Sequence, residues 1–210
     1  MTTALLIIDV QQALCSGEYE AFEAQRVIER INLVSRMFRD AGAPVVVIQH
    51  ESEGGSLDRS TEGWKLADAL EALSTDTYVT KKASDSFHQT ELQSILLARG
   101  VTKLVICGLQ SEFCVDTTTR RALALGYPVE LVADGHSTMD NAVLSAAQIS
   151  AHHNETLTNI TSFGARAKAV PASQVRIEAY QLSNRTSPGG SISASFSFAA
   201  PGPSGEQQRF

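Results

Sequence analysis

Short, largely apolar runs recur along this chain: Ala4 to Ile8 ahead of Asp9, Val45 to Gln49 behind Pro44, Lys103 to Cys107 ahead of Gly108, and Pro128 to Ala133. Runs of this length with little polar alternation are the pattern of strands buried on both faces, as in parallel sheets. Between them lie stretches with helical spacing. Glu20 to Ala41 places Val27, Ile31, Val34 and Phe38 on one face and ends at Gly42, a residue type suited to a helix C-terminus. Glu91 to Arg99 carries Leu92, Ile95 and Leu96 ahead of Gly100, Cys114 to Leu125 is closed by Gly126, and Asn141 to Asn154 reads as a further helix. A short helix at Trp64 to Leu73, a third strand at Thr77 to Thr80 and a sixth at Leu157 to Thr161 complete the series.

Strands alternating with helices imply right-handed βαβ units. The expectation is therefore a three-layer α/β/α sandwich around a six-stranded, mainly parallel sheet, formed by one domain over residues 1–182. From 183 to 210 the composition turns to Ser, Gly, Pro and Ala, which buries too little apolar area to offset its ordering entropy and reads as a flexible tail.

The net charge of -6, from 17 Lys and Arg against 23 Asp and Glu, leaves no basic face to neutralise a phosphate backbone, so a nucleic-acid partner is not expected. The first apolar run is broken by Asp9, far short of the roughly 18 apolar residues of a membrane span, and no basic segment precedes it. Three cysteines, at 15, 107 and 114, form no metal-type pair and cannot all be paired within one chain. That usage suits a reducing compartment, and the cytoplasm is the expected location.

In open parallel sheets the ligand crevice lies beyond the carboxyl ends of the strands, where strand order reverses. Asp9 follows the first strand, Lys81 the third and Cys114 the fourth, at the start of a helix. A cysteine at a helix N-terminus beside an ammonium is expected to reach its thiolate form near neutral pH. A neighbouring carboxylate accepts the thiol proton and later delivers it to a leaving amine. Singly, each residue also has a plain structural reading: a turn aspartate, a solvated lysine, a core cysteine. The last suits Cys107, inside Leu104 to Cys107, and Cys15 has no motif behind it.

Taken together the residues say more. Leu6-Ile7-Ile8-Asp9-Val10-Gln11, then Thr80-Lys81 with Ser86-Phe87-His88-Gln89-Thr90-Glu91-Leu92, then Val105 through Cys114 to Thr118, and finally Asp134-Gly135-His136-Ser137-Thr138, resemble the isochorismatase-like cysteine hydrolases over residues 3–165. The resemblance implies a triad of Asp9, Lys81 and Cys114, with thiolate attack on a carbonyl carbon, loss of an amine and hydrolysis of a thioester. Lys82 competes with Lys81, which is preferred because the family's lysine stands six residues before the phenylalanine matching Phe87. A cis Leu109-Gln110 peptide is also implied, aiming the Gln110 N–H beside that of Cys114 as an oxyanion hole.

Relatives that hydrolyse nicotinamide hold a metal through an Asp-x-His at the second strand end. Here the text is Gln49-His50-Glu51-Ser52, so His50 reads as a hydrogen-bonded structural group, and neither a metal nor another cofactor is expected. The run from Gln49-His50-Glu51 to Trp64, Asp85-Ser86-Phe87-His88 and Ser111 to Asp116 resembles metal-free cysteine hydrolases, among which streptothricin hydrolase-like lactam-opening enzymes occur. For the pocket, Trp64, Phe87 and Phe113 are the candidate apolar wall, Gln11 a residue to orient Asp9, and Glu112 a partner for a cationic substrate group. The expected reaction is cleavage of an amide or lactam C–N bond of a small molecule. Vinyl ether or ester hydrolysis, and non-catalytic binding or thiol sensing, remain open at this stage. The resemblance also implies a homodimer or higher homo-oligomer.

Overall fold

In strand β1 (Thr2–Ile8) successive side chains point to opposite faces of the sheet. Leu5 and Ile7 enter one core, while Ala4, Leu6 and Ile8 enter a second. This two-sided burial is why the run is apolar throughout. The computed structural model describes residues 2–177; the expected boundary at 182 and the Ser/Gly/Pro tail at 183–210 lie outside the described residues.

The other strands are β2 (Val45–His50), β3 (Thr77–Lys81), β4 (Val101–Leu109), β5 (Val129–Ser137) and β6 (Ala167–Val170), and the order in the sheet is β3-β2-β1-β4-β5-β6. Every pairing is parallel. The helices are α1 (Gln12–Cys15), α2 (Ala24–Asp40), α3 (Leu92–Ala98), α4 (Asp116–Ala124) and α5 (Ala146–Thr158). Helix α2 packs Val27, Ile31, Val34 and Phe38 on one face, and α3, α4 and α5 place Leu92, Leu96, Leu123 and Leu157 on the other. The fold is a three-layer α/β/α sandwich. Its strand order reverses between β1 and β4, so the crevice opens beyond the carboxyl ends of those two strands.

Gly108 marks how closely β4 passes β1. Its φ of +120° lies outside the range of ordinary residues, and a Cβ there would overlap the Ile8 carbonyl oxygen.

Three expected elements differ. The helix at Trp64 to Leu73 is only a 3-10 turn at Glu62–Trp64. Just after it Leu66 bridges Gln11 and the Ala67 N–H donates to the Val10 carbonyl, and residues 68–69 form a turn. The strand at Leu157 to Thr161 is instead the end of α5, which begins late at a Ser145/Gln148 capping box and turns Leu157 into the core. The sixth strand falls at Ala167–Val170, too short and too weakly apolar to stand out. The helix expected from Cys114 starts at Asp116, preceded by a wider π-type turn over Ser111–Val115.

Candidate active site

The site gathers at the ends of four neighbouring strands. Asp9 leaves β1 with φ +51°, the left-handed region that aspartate tolerates better than most side chains. Its N–H is tied to the Ile48 carbonyl at 2.9 Å, and its carboxylate is buried. On β3 the alternation of the strand turns Lys81 inward and leaves the next residue outward. Lys81 Nζ lies 2.7 Å from Asp9 Oδ2, with side-chain exposures of 0% and 2%. Lys82 is 64% exposed and faces Glu51 and Glu53 at 3.9 and 3.8 Å.

Lys81 Nζ also reaches Cys114 Sγ at 3.1 Å, His50 Nδ1 at 3.1 Å and the Ala83 carbonyl at 3.0 Å. An ammonium has three protons for these four acceptors. Asp9, His50 and Cys114 each place one ligating atom within 4.8 Å of the others, so a carboxylate, an imidazole and a thiol converge on one cation. Asp9 Oδ1 is buried without a hydrogen-bond partner.

Cys114 sits fourth in the Ser111–Val115 turn rather than at the first residue of α4, and burial pushes its thiol up to about 12. The Asp9 charge adds in the same direction, and the Lys81 charge opposes both. This corrects the sequence expectation of a thiolate accessible near neutral pH. Desolvation and the Asp9 charge together oppose the nearby cation, which favours the neutral thiol.

The Leu109-Gln110 peptide is cis. The Gln110 carbonyl accepts from the N–H groups of Phe113 and Val115 at 3.1 and 3.2 Å, which closes the turn that carries the cysteine.

A cavity of about 490 Å³ opens beside Lys81, lined by Glu51, Arg59, Lys82, His88 and Gln89 together with Thr80 and Ala83. Trp64, Phe87 and Phe113 are not among its lining residues, and neither are Asp9 and Cys114. Phe87 is buried and stacked on Tyr127 with ring centroids 6.3 Å apart. Phe113 is 53% exposed. Trp64 stands behind Arg59, whose guanidinium lies 5.2 Å from the indole centroid; the Trp64 Nε1 atom is buried without a partner. Gln11 does not engage the Asp9 carboxylate. Its amide joins His50 to Trp64, donating to both carbonyls at 3.0 and 2.8 Å and accepting from the His50 N–H at 2.7 Å. Glu112 accepts from the Thr138 hydroxyl at 2.8 Å, leaving its second carboxylate oxygen buried and unpaired.

Residues 3–164 match the isochorismatase domain family. The chain belongs to the isochorismatase family. It is 42% identical over 138 residues to a streptothricin hydrolase of Streptomyces noursei, covering 65% of this chain and 50% of that protein. A second streptothricin hydrolase of the same organism is 40% identical over 138 residues, with 65% and 55% covered. The chain thus spans about half the length of these relatives. A crystal structure of an isochorismatase family protein matches at a TM-score of 0.72 and 34% identity, over 80% of this chain and 97% of the other.

His50, read from the sequence as a hydrogen-bonded structural group, is hydrogen-bonded to Lys81 and so joins the cluster. Its signal was available in the strand order: β2 lies between β1 and β3, and His50 is in register with Lys81. Burial, and then the Lys81 charge, hold its pKa below the usual histidine value. The imidazole is therefore neutral, with Nδ1 accepting from the ammonium and the proton on Nε2. Lys81 Nζ already contacts all three groups that could ligate a metal ion, so a dication would meet the ammonium at close range. With the ammonium among them, these residues do not fit a metal ion. Among the described residues, no helix is long and apolar enough to cross a membrane.

Proposed function

We propose that this protein is a cysteine hydrolase that opens an amide or lactam C–N bond of a small polar molecule through a thioester on Cys114. The observation that carries the reading is the buried cluster in which one ammonium touches both the Asp9 carboxylate and the Cys114 sulfur, with Asp9 Oδ1 left unpartnered. An unpaired buried acceptor costs about 1–3 kcal/mol, and here it stands ready to take the thiol proton.

In the proposed sequence the Cys114 sulfur attacks the carbonyl carbon while its proton passes to Asp9. Lys81 stays against both groups and offsets the negative charge that moves between them. The N–H groups of Gln110 and Cys114 receive the oxyanion. Collapse breaks the C–N bond, and Asp9 returns the proton to the departing nitrogen. A water molecule then adds to the thioester with Asp9 as base, releasing the acid and restoring the thiol. Because the thiol rests protonated, Asp9 acts as the base that generates the nucleophile. A raised thiol pKa also weighs against thiol sensing, which favours low-pKa cysteines.

The streptothricin hydrolase relatives support a lactam or amide substrate, and the charged wall of Glu51, Arg59 and Lys82 supports a hydrophilic one. The free thiols of Cys15, Cys107 and Cys114 support a cytoplasmic location. Exposed Phe22 and Phe113 are apolar surface that a second copy in a homodimer would cover. The test is a panel of small amides, cyclic amides, esters and vinyl ethers, with amine or acid release measured for wild type, Cys114→Ala and Cys107→Ala. Turnover of an amide by wild type and Cys107→Ala but not Cys114→Ala is expected. Turnover of vinyl ethers alone, or full activity in Cys114→Ala, overturns the proposal.

A further inference from the structure

Beneath the turn that carries Cys114 lies a partly buried chain of polar groups, with Ser111 and His136 at its buried end, whose proton positions follow from one fixed point. The Ala133 carbonyl can only accept, and Asn154 Nδ2 donates to it at 2.9 Å. Asn154 Oδ1 therefore faces His136 Nε2 at 3.0 Å, and Nε2 must carry the ring proton. Burial keeps His136 neutral at ordinary pH, so Nδ1 is an acceptor, and the Ser111 hydroxyl, 2.7 Å away, donates to it. Ser111 Oγ is then left to accept from Ser150 at 2.9 Å. Each donor in the chain has one acceptor, and no alternative assignment leaves the Ala133 carbonyl satisfied.

The sheet is shaped to make this contact. Between β4 and β5 the register runs from Ile106 opposite Leu131 to Gly108 opposite His136, a bulge that gives β5 three extra residues. Bulges re-aim side chains, and this one sets His136 beneath Ser111, the first residue of the turn that carries Cys114. One residue further along the turn, Glu112 accepts from Thr138, also from the end of β5.

We propose that His136 is a positioning residue: acting through Ser111, it holds the Gln110–Val115 turn so that the Cys114 sulfur stays against Lys81 and the turn's N–H groups keep one orientation toward a bound carbonyl. The inference rests on Cys114 being the nucleophile, and the test separates the two ideas. The probe is p-nitrophenyl acetate, an activated ester. Acetyl transfer to the Cys114 sulfur releases p-nitrophenol, and the covalent product is read by intact mass.

Three variants divide the chain of bonds. Asparagine at 136 ends near the Nδ1 position and keeps an acceptor for Ser111 while losing Asn154; glutamine reaches the Nε2 position and keeps Asn154 while losing Ser111. Ser111→Ala removes the donor itself. The expected order is His136→Asn within about twofold of wild type in acetylation rate, with His136→Gln and Ser111→Ala slower by about fivefold or more, although both His136 variants lose thermal stability to a similar degree. Equal rates for His136→Asn and His136→Gln, or rates that simply follow melting temperature, would overturn the positioning role. Absence of acetylation at Cys114 in wild type would instead overturn the nucleophile assignment.

Discussion

Replacing Lys81 with methionine fills much the same volume but removes the ammonium that holds Asp9 Oδ2 at 2.7 Å. Both side chains are almost completely excluded from water, so Asp9 is left as a buried carboxylate without its counter-charge. The Ala83 carbonyl and His50 Nδ1 lose their donor in the same step. Breaking a buried pair from one side costs about 3–5 kcal/mol. For a domain of this size each kcal/mol lowers Tm by about 2–4 °C, so Lys81→Met is expected to melt about 6–20 °C below wild type. Asp9→Asn, which leaves the ammonium unpaired, should show a loss of similar sign. The double variant removes both charges and should recover at least about 2 kcal/mol relative to the sum of the single changes, while remaining inactive. Thermal unfolding by circular dichroism at neutral pH measures all four proteins. Single-variant shifts under about 2 °C, or strict additivity in the double variant, would refute the argument that the pair is buried and coupled.

Burial holds the thiols of Cys15, Cys107 and Cys114 above the ordinary value of 9.0. The unfolded chain therefore releases protons that the folded chain keeps, and stability is lost as pH rises above about 9, by up to about 1.4 kcal/mol per pH unit for each thiol. Denaturant midpoints measured across that range should fall less steeply for Cys107→Ala than for wild type. On the acid side, His50 and His136 have pKa values held below the ordinary 6.5, so stability present at neutral pH is lost as the unfolded chain protonates below about 6.5. His50→Gln should show a shallower decline in the same assay. Gly108→Ala drives a methyl group into the Ile8 carbonyl and is expected to cost more than about 3 kcal/mol, read as a large drop in Tm or loss of soluble expression.

The apolar runs from Ala4, Val45, Lys103 and Pro128 announced their strands because burial on both faces removes polar alternation. Leu157 was harder to place. A helix end and a short strand both require apolar residues there, and only the late start of α5 at the Ser145 cap decides between them. At the site, Asp9, Lys81 and Cys114 were legible as residues, since strand ends in a parallel sheet lie on one edge. The protonation of Cys114 was not, because it depends on a balance of desolvation against a single cation that spacing along the chain does not encode. The place of the aromatic residues was not legible either: a side chain such as Phe87 fits a core as well as a cavity, and its stacking partner, Tyr127, is 40 residues away in the sequence. His50 was visible as a strand-end residue, but its contact with Lys81 needed the strand order.

In the proposed reaction Cys114 forms a covalent acyl intermediate with Asp9 as its base. The most direct measurement is rapid-quench peptide mapping of wild type and Asp9→Asn after mixing with p-nitrophenyl acetate at neutral pH. Acetyl transfer to the peptide carrying Cys114 is expected in wild type, slowed by about 100-fold or more in Asp9→Asn. Acetylation confined to other residues, or an unchanged rate in Asp9→Asn, would contradict it.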